Sequence, residues 1–124
     1  MTLIQQKTIL PEISEQARTL HRQLFIGDWH SDTLLWKRNL MDKNDYGHVD
    51  IPRLKQGNVA LQMFTTVTKS TDGLNYEGNS SVASDNITKL VLVSLWPTNT
   101  WNSLTKRALF QASKALELVD EFPQ

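Results

Sequence analysis

The stretch VALQMFTTV, residues 59–67, is almost continuous in apolar and β-branched side chains, which is typical of a strand buried on both faces of a parallel sheet. An earlier stretch, LFIGDWHSD at residues 24–32, opens apolar and then alternates, which predicts a strand with polar groups at its far end. Between them, residues 50–57 (DIPRLKQG) predict a short helix with Asp50 as its N-cap and Gly57 at its exit. This alternation favours an α/β fold with parallel strands.

Helical periodicity surrounds the two predicted strands. An amphipathic stripe predicts a helix over residues 11–24, and a short helical piece is predicted over residues 33–40. Two helices are predicted to close the chain, one over residues 85–96 and ended by Pro97, the other starting near Ser103. The last helix has an apolar face formed by Leu104, Ala108, Ala112, Ala115, Leu116, Val119 and Phe122.

The predicted elements are too few to complete a parallel sheet. Two parallel strands cannot bury both of their faces, and each closing helix has an apolar stripe that needs a sheet beneath it. A (β/α)8 barrel takes about 250 residues, roughly twice what this chain provides. We therefore predict that residues 1–124 are the first βα units of one domain, the N-terminal part of an incomplete TIM-type barrel truncated before its remaining strands. The alternative is a small self-sufficient α/β domain.

Charge and composition exclude several classes of function. The 13 basic and 13 acidic side chains balance, which argues against nucleic acid or an anionic membrane as the main partner. Without cysteine, the chain has no disulfide, no thiolate nucleophile and no thiolate metal site. We see no run of about 20 apolar residues and no signal peptide, so the sequence predicts no membrane segment and favours a cytoplasmic location.

The sharpest candidate site lies at the end of the first predicted strand. Alternate side chains of an extended segment share a face, so Asp28, His30 and Asp32 are expected to project together. A His-x-Asp pair supplies an imidazole nitrogen and a carboxylate oxygen to one cation, a combination that zinc accepts readily. The alternative is a histidine that is only hydrogen-bonded to a neighbouring aspartate.

Two other segments could contribute to a site. His48, in the stretch GHVDIPRL (47–54), is either a ligand or a donor to one, or a structural histidine at the start of the short helix, which its spacing favours. The polar segment 69–84 is too long for an ordinary connection and follows the second strand. It would place Tyr76 or Asn75 against a substrate, or else form a mobile surface loop.

Three blocks, in order, resemble the N-terminal portion of the membrane (renal) dipeptidase family of zinc metallopeptidases. They are LFIGDWHSD (24–32), HVDIPRL (48–54) and GNVALQMFTTVT (57–68). In that family an Asp-x-His-x-Asp segment ends the first barrel strand, and a turn with His and Pro leads through Gly into a second strand that contains Gln. The resemblance covers residues 13–123, and the three blocks together are more specific than any one of them.

The resemblance implies a role for each matching residue. His30 and Asp32 would be ligands of one zinc ion of a binuclear site, and Asp28 would orient the histidine. Gln62 and Phe64 would be structural residues of the second strand. The family fold is a (β/α)8 barrel that hydrolyses the peptide bond of dipeptides through a metal-bound hydroxide. The resemblance also implies that the substrate is a dipeptide and that the full-length protein forms a homo-oligomer.

The family's remaining site residues set a limit on what this chain does alone. Its bridging glutamate, two further histidine ligands and catalytic aspartate are expected beyond Gln124. We therefore predict no catalytic residue within the chain and at most a partial site for one zinc ion. The alternative hypothesis is a non-catalytic truncated remnant, or an association module, that retains the first units of the barrel.

Overall fold

The computed structural model describes residues 11–121, which form a mixed α/β arrangement of four helices and one two-stranded parallel sheet. The predicted α/β class and the parallel pairing of the strands are confirmed. In chain order the elements are α1 (Glu15–Gln23), β1 (Ile26–Ser31), α2 (Ile51–Gln56), β2 (Val59–Phe64), α3 (Asn86–Val93) and α4 (Leu104–Glu121), with 3-10 turns at Thr33–Leu35 and Thr98–Thr100.

Local side-chain chemistry sets where three of the helices begin. Ser14, Asp50 and Asp85 each accept a hydrogen bond from a backbone N–H two or three residues further along the chain. The predicted N-cap at Asp50 is confirmed. The first helix begins after its Ser14 cap rather than at Pro11, and the helical piece predicted over residues 33–40 is only the 3-10 turn Thr33–Leu35.

The register of the sheet is irregular beside the candidate site. Asp28 lies opposite Gln62, whereas Ser31 lies opposite Phe64. The pairing therefore advances three residues along β1 for two along β2, so β1 accommodates one extra residue next to His30. Such a bulge breaks the simple alternation of side chains and re-aims those nearby.

The strands are less buried than their sequence predicts. Leu61 and Met63 of β2 are 39% and 44% exposed, so within residues 11–121 this strand lacks the covering layers of which its sequence is typical. Phe25 and Trp29 are more exposed still, at 80% and 69%. The apolar sequence suits a sheet with covering layers that these two strands do not have.

The hydrophobic core lies away from the sheet, between the 3-10 turn after β1 and the two C-terminal helices. Leu35, Ile87, Val91 and Trp96 form its buried cluster. The ring of Trp96 packs on that of Phe110 with centroids 4.8 Å apart in a tilted arrangement. This packing fixes the segment after β1 against α3 and α4.

Helix α4 buries polar residues instead of the apolar stripe that its sequence predicts. Its two buried residues are Arg107 and Gln111, one helical turn apart on one face, while Leu116 is 67% exposed. The Gln111 amide accepts from the Val67 backbone N–H at 3.1 Å and donates to its carbonyl at 2.9 Å. Phe122, predicted to belong to the stripe, lies outside the described residues. On this face of α4, long polar side chains bond to backbone groups of the segment that follows β2, where the sequence predicts apolar packing.

Arg107 connects α4 to α3 and to the loops that precede and follow α3. Its guanidinium makes an ion pair with Asp85 at 2.6 Å and donates to the Thr88 hydroxyl at 2.7 Å. It also donates to three backbone carbonyls, those of Thr68, Thr100 and Trp101. Because Arg107 is only 2% exposed, this network is shielded from water.

The ion pair predicts acid sensitivity of the fold. Burial raises the pKa of Asp85, but hydrogen bonds from the Ser70 N–H, Arg107 and Thr88 outweigh it and lower the pKa from 3.8 to about 2. Because the pKa of Asp85 is lower in the folded than in the unfolded chain, ionised Asp85 stabilises the fold at any pH above its unfolded pKa of 3.8. That stabilisation is lost as the pH falls from 3.8 towards about 2.

We expect the free energy of unfolding, measured by urea denaturation, to fall between these two pH values. Asp85→Asn should flatten this dependence, and the exposed-site control Asp45→Asn should keep it. Parallel pH profiles for Asp85→Asn and the unmodified protein would refute the assignment.

Candidate metal site and adjoining cleft

The two residues predicted to bind a metal meet at the C-terminal end of β1. Nε2 of His30 lies 3.2 Å from Oδ1 of Asp32, with the two side chains 71% and 42% exposed. Two ligands on one tetrahedral zinc ion, with bonds of about 2.0–2.2 Å, are about 3.4 Å apart. The pair therefore fits a single zinc ion, and in the absence of metal the same separation is that of a His–Asp hydrogen bond.

Asp28 is held by the neighbouring strand. Its carboxylate accepts from Nε2 of Gln62 at 2.9 Å and from the backbone N–H of His30 at 3.2 Å. The hydrogen bond from Gln62, followed by that from His30, lowers the pKa of Asp28, so this carboxylate is ionised at neutral pH. Asp28 thus contacts the backbone of His30, and Gln62 holds the Asp28 carboxylate from the neighbouring strand. The structural role of Gln62 in a barrel stays a prediction.

Asp28, whose side chain was expected to project together with those of His30 and Asp32, does not join them in a cluster of possible metal ligands. Within residues 11–121, no group of three or more histidine and acidic side chains is placed to hold a metal ion. The bulge beside His30 explains the difference, because Asp28 and His30 are no longer related by a regular two-residue alternation. The site that the chain presents is a pair, His30 and Asp32, with Asp28 behind it.

Thr65 is a site residue that the sequence interpretation missed. Its hydroxyl donates to Oδ1 of Asp32 at 2.5 Å, and its backbone N–H donates to the Ser31 carbonyl at 3.0 Å. Thr65 directly follows β2 and so lies at the same edge of the sheet as Asp32. A hydroxyl residue at the C-terminal end of a parallel strand adjacent to the predicted ligands was the signal that could have found it.

A cleft of about 590 Å³ adjoins Asp32. It lies between the segment that follows β1 and the loop that precedes α2. Besides Asp32, its walls include Trp36, Arg38, Tyr46, His48 and Val49. Its volume is within the range of small-molecule sites, which is about 300–1,000 Å³.

Arg38 fixes the shape of this cleft. Its guanidinium donates to the carbonyls of Tyr46 and Val49 at 2.8 and 2.9 Å and to the Thr33 hydroxyl at 2.6 Å. Gly47, with φ of +81°, lies against the same group, and a Cβ there would be 1.9 Å from Nη1 of Arg38. A side chain at residue 47 would have to displace this guanidinium, and the positive φ also favours glycine at this position.

His48 lies on the wall of the cleft, together with Asp32. It is exposed, and no hydrogen bond joins its imidazole to another described residue. The start of α2 is stabilised instead by Asp50, which is fully buried and paired with Arg53. The structural role that spacing favours for His48 thus belongs to Asp50, and the imidazole is free to face a ligand.

The segment 69–84 is tied to the rest of the chain at its base and turns tightly at its tip. Thr71 pairs with Asp85 in an antiparallel bridge, and the Asn75 side chain accepts from the N–H groups of Glu77 and Gly78. Tyr76 is fully exposed and is not among the residues that line the cleft. Its contact with substrate stays a prediction.

Comparison with known proteins gives no match to a family model, to a curated protein or to a solved structure. In residues 11–121, no helix is both long enough and apolar enough to cross a membrane.

Proposed function

We propose that this chain supplies the first pair of metal ligands and part of the substrate cleft of a zinc-dependent dipeptidase built on a (β/α)8 barrel. The observation that carries the proposal is the 3.2 Å approach of His30 to Asp32 at the C-terminal end of a parallel strand, next to an open cleft. Barrel enzymes keep their active sites at this end of their strands. The resemblance to the dipeptidase family rests on the same residues.

The roles of the chain's own residues follow from their contacts. Thr65 orients the Asp32 carboxylate through the hydrogen bond to Oδ1, while Asp28 fixes the backbone at His30. Arg38 holds the loop that closes the cleft. Zinc, when bound, supplies Lewis acidity towards the scissile carbonyl and activates water as the nucleophile.

The complete site needs ligands beyond this pair. Two zinc ions take more protein donors than one imidazole and one carboxylate. We place the others on further barrel strands outside residues 1–124. The exposed side chains of Trp29, Leu61 and Met63 support this, because they leave apolar surface on both strands for additional layers.

Removal of zinc tests the proposal. For the protein that contains these residues, we expect chelation to reduce hydrolysis of Ala-Phe by about 100-fold or more, since the metal provides both the nucleophile and the polarisation of the carbonyl. Addition of Zn²⁺ should restore the activity, and addition of Ca²⁺, which prefers six or more oxygen ligands, should not. Release of free phenylalanine measures the rate. Hydrolysis that is unchanged by chelation would refute the proposal.

The second candidate function is a non-catalytic association module. The observation in its favour is the exposed apolar surface of α4, where Leu116 and Val119 are 67% and 69% exposed. A protein that forms a stable complex and shows no metal-dependent hydrolysis would support this alternative.

A further inference from the structure

We propose that the cleft beside Asp32 binds the apolar, preferably aromatic, side chain of a neutral dipeptide. This inference rests on the proposed function and adds the class of substrate to it. It assigns the cleft walls, in particular Trp36 and Tyr46, as the residues that determine specificity.

The accessible aromatic surface in the cleft points to this ligand. Trp36 and Tyr46 are 50% and 64% exposed, although both lie on the cleft wall, so their rings are available to a ligand. Val49 adds aliphatic surface on the same wall. An aromatic ring placed among these groups would bury its faces and edges in the offset or tilted contacts that aromatic pairs prefer.

The charges around the cleft disfavour a charged ligand side chain. Three of the five guanidinium N–H groups of Arg38 already donate to Tyr46, Val49 and Thr33, and its Nε is buried. An acidic side chain is therefore left with a single Nη1 hydrogen and cannot form a paired, two-bond contact with the guanidinium. Such a side chain would also face the Asp32 carboxylate. A basic side chain would face the Arg38 charge, while Asp32 is already engaged by other groups.

The cleft is also preorganised. The Arg38 guanidinium packs directly against Gly47, and its two carbonyl contacts hold the residues on either side of that glycine. A wall that is already fixed costs little ordering entropy when a ligand binds. The cleft can therefore discriminate between side chains before any metal is present.

Titration of the metal-free chain tests this inference. We expect ¹⁵N-labelled protein, followed by NMR, to bind Ala-Phe at least about tenfold more tightly than Ala-Ala, Ala-Glu or Ala-Lys. The amide shifts should centre on Trp36, Gly47 and Val49. Equal affinity for the four dipeptides, or shifts spread over the exposed sheet, would overturn the proposal.

Matched tryptophan variants locate the effect. Trp36→Ala should weaken Ala-Phe binding at least about tenfold, whereas Trp36→Phe should retain most of it. Trp29→Ala is the control, because Trp29 is exposed on β1 and does not line the cleft. An equal loss in Trp29→Ala and Trp36→Ala would contradict the assignment, since it would place the dipeptide on the sheet.

The two proposals fail in different ways. If Ala-Phe binds at the cleft but chelation leaves hydrolysis unchanged, the proposed function is wrong and the aromatic site stands. If zinc-dependent hydrolysis is found but kcat/KM is the same for Ala-Phe and Ala-Ala, the dipeptidase proposal stands and the assignment of the cleft is wrong.

Discussion

Arg107→Ala is expected to lower the free energy of unfolding by about 3–5 kcal/mol, a large share of the roughly 5–15 kcal/mol typical of a domain. The arginine is 2% exposed and donates five hydrogen bonds of 2.6–2.9 Å. Its removal would leave the Asp85 carboxylate without its charged partner and the Thr88 hydroxyl without its donor, and would leave three backbone carbonyls without this donor. Urea denaturation followed by tryptophan fluorescence measures the loss.

Two further variants separate this network from ordinary surface charge. Arg18→Ala removes an ion pair with Glu15 at 3.6 Å in which both side chains are exposed, and should cost less than about 1 kcal/mol. Arg107→Lys keeps the charge but cannot form the planar fork, so it should remain well below the unmodified protein in stability. A loss in Arg107→Ala no larger than that in Arg18→Ala would show that the buried network contributes little.

The parts of the fold that sequence could predict depend on local chemistry. The cap at Asp50 and the two strands follow from side chains acting within a few residues of one another. The Arg107 network does not, because it joins α4 to the Thr68 carbonyl, 39 residues earlier in the chain. The periodicity of the sequence predicted that the buried face of α4 is apolar. In the structure, long polar side chains fill it, since they reach backbone groups that no secondary-structure partner satisfies.

In the candidate site, too, the local features were predictable from sequence and the long-range ones were not. The His30 and Asp32 pair was predictable because it lies within three residues at a strand end. The displacement of Asp28 from the pair was not, since it depends on a bulge that only the pairing with β2 reveals. The cleft was missed for a similar reason, because the Arg38 contacts that shape it connect the segment after β1 to a loop about ten residues away.

The second large effect is expected at the metal pair. His30→Ala should weaken Zn²⁺ binding to the chain by about 100-fold or more, because loss of even an outer partner of a ligand typically costs 10–100-fold and this change removes a direct one. Asp32→Asn should also weaken binding, since it removes the charge while retaining the shape. His21→Ala should leave the affinity unchanged, because that histidine is exposed on α1, apart from the strand end. Isothermal titration with ZnCl₂ provides the affinities.

The most direct test of the metal site is to follow the imidazole nitrogens of the ¹⁵N-labelled chain by NMR while ZnCl₂ is added. We predict that the His30 resonances move first, saturate at one ion per chain, and lose this response in Asp32→Asn, while those of His21 do not move. Zinc that leaves the His30 resonances in place, or that binds equally well to His30→Ala, would contradict the proposal that His30 and Asp32 are metal ligands.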